Sequence, residues 1–228
     1  MNGLLVVIEG VDGSGKKTQS EILFKKLLAL GHEAKLVTFP RYENESSTLA
    51  KMYLRGDFGS KPEDVSAYIS SIFFAVDRYA AYKTDFGEFY QSGGIIISDR
   101  YTTSNMVHQG AKMFNENERD RYLDWLMELE YVTFGLPKPD LVCFLDIDPQ
   151  TSFMLINSRN ASGQSRSDIH ELDKAFATKT YDNAIEMQEK LGWTRISCVE
   201  DGRLLPAEDI GNTVFSHVSE KIARWKGY

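Results

Sequence analysis

The sequence predicts an α/β protein with three layers, in which a five-stranded, mostly parallel sheet carries helices on both faces. Three observations support this prediction: short branched apolar runs recur along the chain, helix-like stretches separate them, and a Gly-rich loop follows the first run. Strands that alternate with helices form parallel sheets, because each connection has to cross back over the sheet. A length of 228 residues with one such loop favours a single domain over 1–228.

Short runs rich in Val, Ile and Leu are typical of strands buried on both faces. The predicted strands are Leu4–Ile8, Lys35–Phe39, Ile95–Ile97, Leu141–Leu145 and Thr194–Val199. Pro40 ends the second strand, since proline cannot donate to a sheet ladder. Apolar residues at helical spacing predict the helices between the strands. These are Gln19–Leu30, Ser47–Tyr53, Glu63 to about Lys83, Asn115–Tyr131, Thr151–Ser158, 171–191 and Pro206–Arg224.

The composition excludes several classes of partner. The net charge of −7 and the pI of about 5.2 argue against nonspecific binding to a nucleic-acid polymer, which needs a basic face. No apolar run approaches the ~20 residues of a membrane span, so no membrane partner is expected. Cys143 and Cys198 lie far apart in apolar runs, which favours reduced core thiols in a cytoplasmic protein over a zinc site.

The Gly-rich loop lies between the first predicted strand and the first predicted helix. Its glycines let consecutive N–H groups point at an anion, and Lys16 can reach the terminal phosphates of a nucleotide. The spacing Gly-x4-Gly-Lys in this context predicts a phosphate-binding loop; the alternative is a turn that binds nothing. The predicted nucleotide-binding residues are Gly10, Val11, Asp12, Gly13, Ser14, Gly15, Lys16, Lys17 and Thr18.

One residue departs from the usual pattern of such loops. A Ser or Thr normally follows the lysine and ligates Mg²⁺, but here the position is Lys17. Thr18 comes one residue later, about 100° further round a regular helix. The way in which the loop would hold Mg²⁺ is therefore open, and Thr18 is a weaker candidate.

Parallel strands place their carboxyl ends on one rim, where ligands bind. Asp99 ends the third strand and could hold Mg²⁺ directly or through water, or could instead cap a helix. In an extended chain, the side chain of Arg100 would point away from that of Asp99. Arg100 could bind a phosphate through two hydrogen bonds, or form a surface ion pair. Asp146 ends another strand, but Asp148 and Pro149 after it are typical of a turn and cap, which favours a structural role.

A polar loop near the end of the predicted 151–158 helix carries Arg159 and Arg166. In a protein with a phosphate-binding loop, such a segment is typical of a lid, here about 159–170, whose closure excludes water and whose arginines neutralise developing charge. An ordinary solvated loop is the alternative.

Two further groups could read a nucleotide base. Phe74 and Arg78 lie four residues apart and share a helix face, so the ring could stack on a base while the guanidinium donates to a carbonyl. Core packing of Phe74 is the alternative. A polar cluster after Arg100 could read a base edge or satisfy backbone groups; it consists of Ser104, Asn105, His108 and Gln109.

Taken together, these residues resemble the thymidylate kinase family, and the resemblance covers nearly the whole chain. Its marks are Ile8-Glu9-Gly10-Val11-Asp12-Gly13-Ser14-Gly15-Lys16, Phe39-Pro40-Arg41-Tyr42, Phe74-Ala75-Val76-Asp77-Arg78, Asp99-Arg100-Tyr101 and Gly135-Leu136-Pro137-Lys138-Pro139-Asp140. The resemblance implies a P-loop NTPase fold and transfer of the γ-phosphoryl group of ATP to dTMP, with Mg²⁺ as cofactor.

The resemblance also implies roles for matching residues. Asp12 would face the sugar 3′-hydroxyl of dTMP, and Tyr42 and Arg100 would hold its phosphate. Phe74 would stack on thymine, and Arg78 would bond its O4.

Other matches complete the implied machinery. Asn105 would address the base edge and Phe39 would line the pocket. Lys16, with Arg159 and Arg166, would stabilise the transferring phosphoryl group. Gly13, where some members have arginine, resembles members that supply the catalytic arginine from the lid.

Two more matches concern the sugar and the metal. Asp168-Ile169-His170-Glu171 matches the family's acidic stretch at the lid end, so Glu171 would face the substrate sugar or a metal. Some bacterial members also have a basic residue at the position of Lys17. His108 stands where an aromatic residue is usual, which leaves discrimination against a 2′-hydroxyl open.

The prediction is therefore an ATP-dependent dTMP kinase. Its catalytic residues are Lys16, Asp99, Arg100, Arg159 and Arg166. Its substrate-binding residues are Asp12, Phe39, Tyr42, Phe74, Arg78, Arg100, Ser104, Asn105, Gln109 and Glu171. Its metal ligand is Asp99, with Thr18, Asp12 and Glu171 as weaker candidates.

The alternatives are a related kinase acting on another nucleotide or nucleoside, and a nucleotide-binding module without catalysis, which Lys17 suggests. Family members are commonly homodimers, and the apolar face Ile69, Ile72, Phe73 and Val76 could form that contact or pack in the core.

Overall fold

The fold comes from a computed structural model that describes residues 2–161 and 168–227; the side chains of Arg159, Asn160 and Leu172 lie outside this description. Five strands form one parallel sheet in the order β2–β3–β1–β4–β5. They are β1 Leu4–Glu9, β2 Ala34–Thr38, β3 Ile95–Asp99, β4 Leu141–Asp146 and β5 Thr194–Ser197. The predicted five-stranded parallel sheet is confirmed.

β1 lies in the centre of the sheet, between β3 and β4. In the parallel register, Ile8 pairs with Asp99 of β3 and with Cys143 of β4. Every residue of β1 and of β3 is buried, which explains their unbroken apolar character. This register brings the end of β1, where the Gly-rich loop begins, beside the end of β3.

Ten α-helices in the described residues surround the sheet. They are α1 Lys16–Ala29, α2 Thr48–Arg55, α3 Ala67–Ala81, α4 Gly87–Gln91, α5 Thr102–Ser104, α6 Glu116–Met127, α7 Pro149–Ala161, α8 Ile169–Leu172, α9 Lys174–Leu191 and α10 Ala207–Lys226. Wider π-helical turns cover Tyr82–Phe86, Asn105–Gln109 and Glu128–Thr133, and 3₁₀ turns cover Glu45–Ser47, Pro62–Asp64 and Gly110–Lys112. The segment 102–112 after β3 is therefore helical, a feature the sequence analysis did not assign.

Three predicted elements divide in the structure. The long helix expected from Glu63 begins only after Ser66, whose hydroxyl accepts the N–H of Ile69 at 3.4 Å, because Val65 is extended. Asp173 separates α8 from α9 by capping Phe176 N–H at 2.9 Å. The last predicted strand ends at Ser197, after which β6 Val199–Glu200 and β7 Arg203–Leu204 form a small antiparallel hairpin.

A second, small apolar cluster lies apart from the main core. It joins α2 to α8 through Tyr53, Leu54, Val65 and Ile169, with half-buried Phe73 and Phe74 of α3 packed against it. The half-buried position of Phe74 fits neither a fully buried core residue nor a freely exposed one. This cluster therefore forms one wall beside the rim of the sheet.

The expectations about membrane spans and about the two cysteines can be compared with the structure. None of the helices in the described residues is long and apolar enough to cross a membrane. Cys143 and Cys198 are free and buried, and burial raises the pKa of each thiol to about 12, so both remain protonated at neutral pH.

Candidate active site

The Gly-rich loop connects β1 to α1 and depends on its glycines. Gly13 and Gly15 have φ values of 77° and 84°, in the left-handed region that favours glycine. A Cβ atom on Gly10 would lie 2.6 Å from Ser14 Oγ and 2.9 Å from the Leu145 carbonyl oxygen. These contacts leave no space for a side chain, so the tight turn in front of the α1 N-terminus requires glycine at these points.

Lys16 is buried at the start of α1, and its ammonium group turns back over the loop. Nζ donates to the carbonyl oxygens of Gly10 at 2.8 Å and Val11 at 2.6 Å. Burial, reinforced by the charge of Arg100, lowers the pKa of Lys16 to about 8. An anionic ligand in the loop would favour the charged form and would accept from the same group.

Glu9, the last residue of β1, is a site residue that the sequence analysis assigned no role. Its carboxylate is fully buried and accepts from the Gly10 N–H at 3.0 Å. It also accepts from the hydroxyls of Thr103 at 2.6 Å and Ser104 at 2.8 Å. Glu9 thus ties the first glycine of the loop to α5. The sequence carries one signal of this role, since Glu9 is an acidic residue at the end of an otherwise apolar strand.

Asp99 lies where the sequence predicted it, at the end of β3 beside the loop. Its side chain is 6% exposed, and burial raises its pKa against the opposing charges of Lys16 and Arg100. A buried carboxyl group of this kind would gain from a nearby cation.

Arg100 is not extended, because its φ of 66° lies in the left-handed region. Its guanidinium donates through Nη2 to Asp12 Oδ1 and through Nη1 to His108 Nε2 at 3.2 Å. Burial alone would raise the pKa of Asp12 and lower that of Arg100, but their attraction prevails: the pKa of Asp12 falls well below its usual range and that of Arg100 rises. Both groups stay ionised.

This pair lines one side of an open pocket. It is lined by Asp12, Phe39, Pro40, Tyr42, Leu54, Phe74, Arg78, Arg100, Ser104, Asn105, His108, Gln109, Asp168 and His170. Asp12 and Arg100 provide a charged region, whereas Phe39, Leu54 and Phe74 provide apolar surface. Every substrate-binding residue predicted from the sequence except Glu171 lines this pocket.

Arg78 is held by a buried partner that the sequence analysis did not identify. Its Nε and Nη2 donate to the two carboxylate oxygens of Glu130, each at 2.6 Å, and both side chains are almost fully buried. Asn105 Nδ2 donates to the same carboxylate at 3.3 Å and to the Ser71 carbonyl at 3.1 Å. The pair fixes two pocket residues in place. The charge-assisted, two-pronged geometry gives it directional strength.

Two predicted polar residues of the pocket also have structural partners. Ser104 donates to Glu9, and Gln109 Oε1 accepts from the Ser70 hydroxyl at 2.7 Å. The cluster therefore satisfies buried groups and its members line the pocket, while its contact with a base edge stays a prediction.

His108 and His170 stack in the pocket wall, with ring centroids 5.4 Å apart and an interplanar angle of 15°. Burial lowers the pKa of His170 to about 4 and that of His108 well below its ordinary value, so both rings are neutral at pH 7. His108 Nδ1 is buried with no hydrogen-bond partner among the described residues. The sequence analysis assigned His170 no individual role, because its neighbours come from other parts of the chain.

Asp168 caps α8 by accepting the N–H groups of His170 at 2.9 Å and Glu171 at 3.1 Å. Burial and the nearby charge of Asp12 raise its pKa to about 7. Glu171 lies in a smaller adjoining pocket that Asp12, His108 and His170 also line.

Other predicted residues lie at the margin of this site. Lys17 and Thr18 are exposed on the first turn of α1, and Tyr42 is 53% exposed at the pocket edge. Asp146 pairs with Arg195 at 2.7 Å, as expected of a structural role. The backbone of Arg159 belongs to α7, which runs past the predicted helix end, while its side chain, like the whole of Arg166, lies outside the described residues.

The loop and the parallel sheet define a P-loop NTPase fold, with a pocket beside the phosphate loop. A family model described as thymidylate kinase matches residues 8–201. The chain belongs to the thymidylate kinase family. Membership confirms the resemblance, the fold class and the prediction of an ATP-dependent nucleoside monophosphate kinase.

Individual relatives agree with this assignment. Thymidylate kinase of Mycobacterium tuberculosis is 30% identical over 190 residues, which cover 83% of this chain and 82% of the relative. Human thymidylate kinase is 37% identical over 145 residues, 64% of this chain and 61% of the human protein. The solved structure of thymidylate kinase from Candida albicans superposes with a TM-score of 0.68 at 21% identity and covers 96% of this chain and 92% of the other, which shows the shared fold.

The buried ion pair of Arg78 and Glu130 predicts that removal of one charge lowers the stability of the fold considerably. Glu130→Gln should lower the free energy of unfolding by about 3–5 kcal/mol, because the Arg78 guanidinium stays buried without its counter-ion. Glu128→Gln is the matched control, since Glu128 is exposed on the same turn, and it should change the unfolding free energy by less than about 0.5 kcal/mol. Denaturant unfolding monitored by circular dichroism measures both. Equal stability of the two variants would contradict the importance of the pair.

Proposed function

We propose that this chain transfers the γ-phosphoryl group of ATP to dTMP, with ATP on the P-loop and dTMP in the adjoining pocket. The observation that carries the proposal is the composition of that pocket. Asp12 and Arg100 adjoin the P-loop lysine, while Phe74 and Arg78 lie in the same cavity. A nucleoside monophosphate carries a phosphate and a base on one sugar, so its pocket needs a charged region and an apolar region.

At the charged region, Arg100 would hold the phosphate of dTMP together with Tyr42. A guanidinium binds phosphate through two parallel hydrogen bonds, which suits alignment of the acceptor. Phosphoryl transfer depends on alignment and charge neutralisation, and an acceptor phosphate oxygen is already anionic. The pocket therefore needs no strong general base, and Lys16 would neutralise charge on the transferring group.

At the other region, Phe74 would stack on the base and Arg78 would donate to O4 of thymine. The contact would favour thymine or uracil over cytosine, because the 4-amino group of cytosine is itself a donor. Glu130 supports this role by holding the guanidinium and Asn105 in place. Rigid donors lose less conformational freedom when the base binds. Phe39, Ser104 and Gln109 would complete the pocket.

Mg²⁺ would be held by Asp99, with Asp12, Thr18 and Glu171 as further candidates. The donor set fits the ion, since Mg²⁺ takes oxygen ligands from one or two carboxylates and from substrate phosphates. Bound Mg²⁺ would neutralise phosphate charge during transfer. The raised pKa of Asp99 supports its assignment, because a cation would stabilise the ionised form.

The lid, the oligomer and the location of the protein complete the proposal. Arg159 and Arg166, in a lid of about 159–170 within the single domain 1–228, would close over the phosphates.

α3 exposes 48% of Ile69 and 40% of Val76, which supports a homodimer through this helix. The two buried free thiols are compatible with a cytoplasmic location.

The first test is a coupled assay of ADP release with Mg·ATP and a panel of monophosphates: dTMP, dUMP, UMP, dCMP, AMP and GMP. We expect clear preference for dTMP and loss of turnover without magnesium. Preference for another acceptor would keep the kinase but contradict the assignment of Phe74 and Arg78. If none of the monophosphates supports ADP release while ATP still binds, the non-catalytic module suggested by Lys17 would be favoured.

Arg100→Ala should abolish detectable turnover while the fold stays intact, because no other group would replace the guanidinium at the acceptor phosphate. Arg224→Ala is the control, since that side chain is 80% exposed on α10. The dTMP kinase assay, with circular dichroism as a check of folding, compares them. Normal activity in folded Arg100→Ala would remove the proposed phosphate contact.

Phe74→Ala should raise the KM for dTMP by about 5- to 150-fold, as expected for the loss of a base stack of about 1–3 kcal/mol. Phe114→Ala is the matched control, because that ring is 96% exposed. Steady-state kinetics at saturating ATP measures both. An unchanged KM in the Phe74 variant would assign its ring to packing alone.

A further inference from the structure

The Arg100 guanidinium lies between two acceptors from different parts of the chain. Nη2 donates to the Asp12 carboxylate, and Nη1 donates to His108 Nε2 at 3.2 Å. A guanidinium has donors only, so His108 Nε2 has to be an unprotonated nitrogen with its lone pair towards Arg100. A carboxylate oxygen and an imidazole lone pair thus converge on one positive group.

His170 lies close to the same two acceptors. One ligand atom from each of Asp12, His108 and His170 lies within 4.8 Å of the others, and both rings are 6% exposed. The three residues come from the P-loop, from the π-helical turn Asn105–Gln109 and from α8. No other cluster of three His, Cys, Asp or Glu residues in the described part of the chain meets this spacing.

A hydrogen-bond network behind His170 favours the tautomer that a metal needs. Lys112 Nζ donates to the Tyr53 hydroxyl oxygen at 2.9 Å, and the Tyr53 O–H can donate to the Pro62 carbonyl at 3.3 Å. The Tyr53 oxygen can then accept from His170 Nε2–H, 2.8 Å away. That tautomer leaves the Nδ1 lone pair of His170 for a ligand. Support of one ring nitrogen by a hydrogen bond is typical of metal-ligating histidines.

We propose that Asp12, His108 and His170 bind a divalent transition-metal ion of the Zn²⁺ type, in competition with the Arg100 guanidinium for Asp12 and His108. Two imidazoles and a carboxylate are the donor set that Zn²⁺, Co²⁺ and Ni²⁺ prefer, whereas Mg²⁺ prefers oxygen. The site therefore differs from the proposed Mg²⁺ site in its two imidazole donors, although Asp12 is a candidate ligand of both.

Metal and Arg100 compete for Asp12 and His108, which couples the metal site to the acceptor phosphate. A phosphate that draws Arg100 away would free both ligands, so that dTMP and the metal would each raise the affinity for the other. This coupling rests on the proposed function, whereas the metal site itself rests only on the three side chains.

The chain has four histidines, His32, His108, His170 and His217, which allows a matched test. Isothermal titration with Zn²⁺ and visible absorption with Co²⁺ would be measured on wild type, His170→Gln and His217→Gln. We expect one ion per wild-type chain, at least tenfold weaker binding in His170→Gln and wild-type binding in His217→Gln. Arg100→Gln should bind Zn²⁺ several-fold more tightly, because the competing cation is gone.

Two results would overturn the metal site: no stoichiometric binding in wild type and in Arg100→Gln, or equal affinity in the two histidine variants. The Arg100→Gln protein keeps all three ligands, so a folding defect in His170→Gln cannot conceal the answer. Repeating the Co²⁺ titration with dTMP tests the coupling separately. Metal binding that dTMP does not strengthen would keep the site and contradict the phosphate role of Arg100.

Discussion

The parallel pairing of β1 with β3 is the constraint on which the rest of the site depends. Because Ile8 and Asp99 are partners in that register, the two strands end side by side, and everything that follows them shares one rim. Glu9 ends β1 and the P-loop and Lys16 follow it, whereas Arg100 and α5 follow β3. The buried Glu9 carboxylate then ties these two continuations together through Gly10, Thr103 and Ser104.

Charge pairing is the second determinant of the pocket. Asp12 with Arg100 and Arg78 with Glu130 are ion pairs removed from much of the solvent, and burial of any one of these groups alone would be costly. The two pairs differ in their position. Arg78 lines the pocket while its partner Glu130 lies behind it, so the pair holds the guanidinium from outside the pocket. Arg100 and its partner Asp12 both line the pocket.

The sequence predicted the parts of the fold that depend on local pattern. The five strands follow from short apolar or β-branched runs, of which β1 and β3 are buried throughout. The P-loop follows from glycine spacing between a strand and a helix. Boundaries were less predictable where a single cap decides them. Ser66 and Asp173 stop or divide helices through one side-chain hydrogen bond each, and apolar periodicity carries no signal of such a bond.

The fold class and the phosphate loop follow from the sequence, because apolar runs and glycine spacing encode them. The resemblance to the thymidylate kinase family added pocket residues such as Phe39 and Tyr42, whereas Leu54 and His170 received no role. Which groups pair is set only by the folded structure. Glu130 lies 52 positions from Arg78, and Arg100 lies 88 positions from Asp12, so no local pattern connects them. The stacking of His108 on His170 likewise exists only because α8 packs beside the segment after α5. Pair interactions of buried polar groups depend on distances across the folded chain, and those distances arise only when the layers pack.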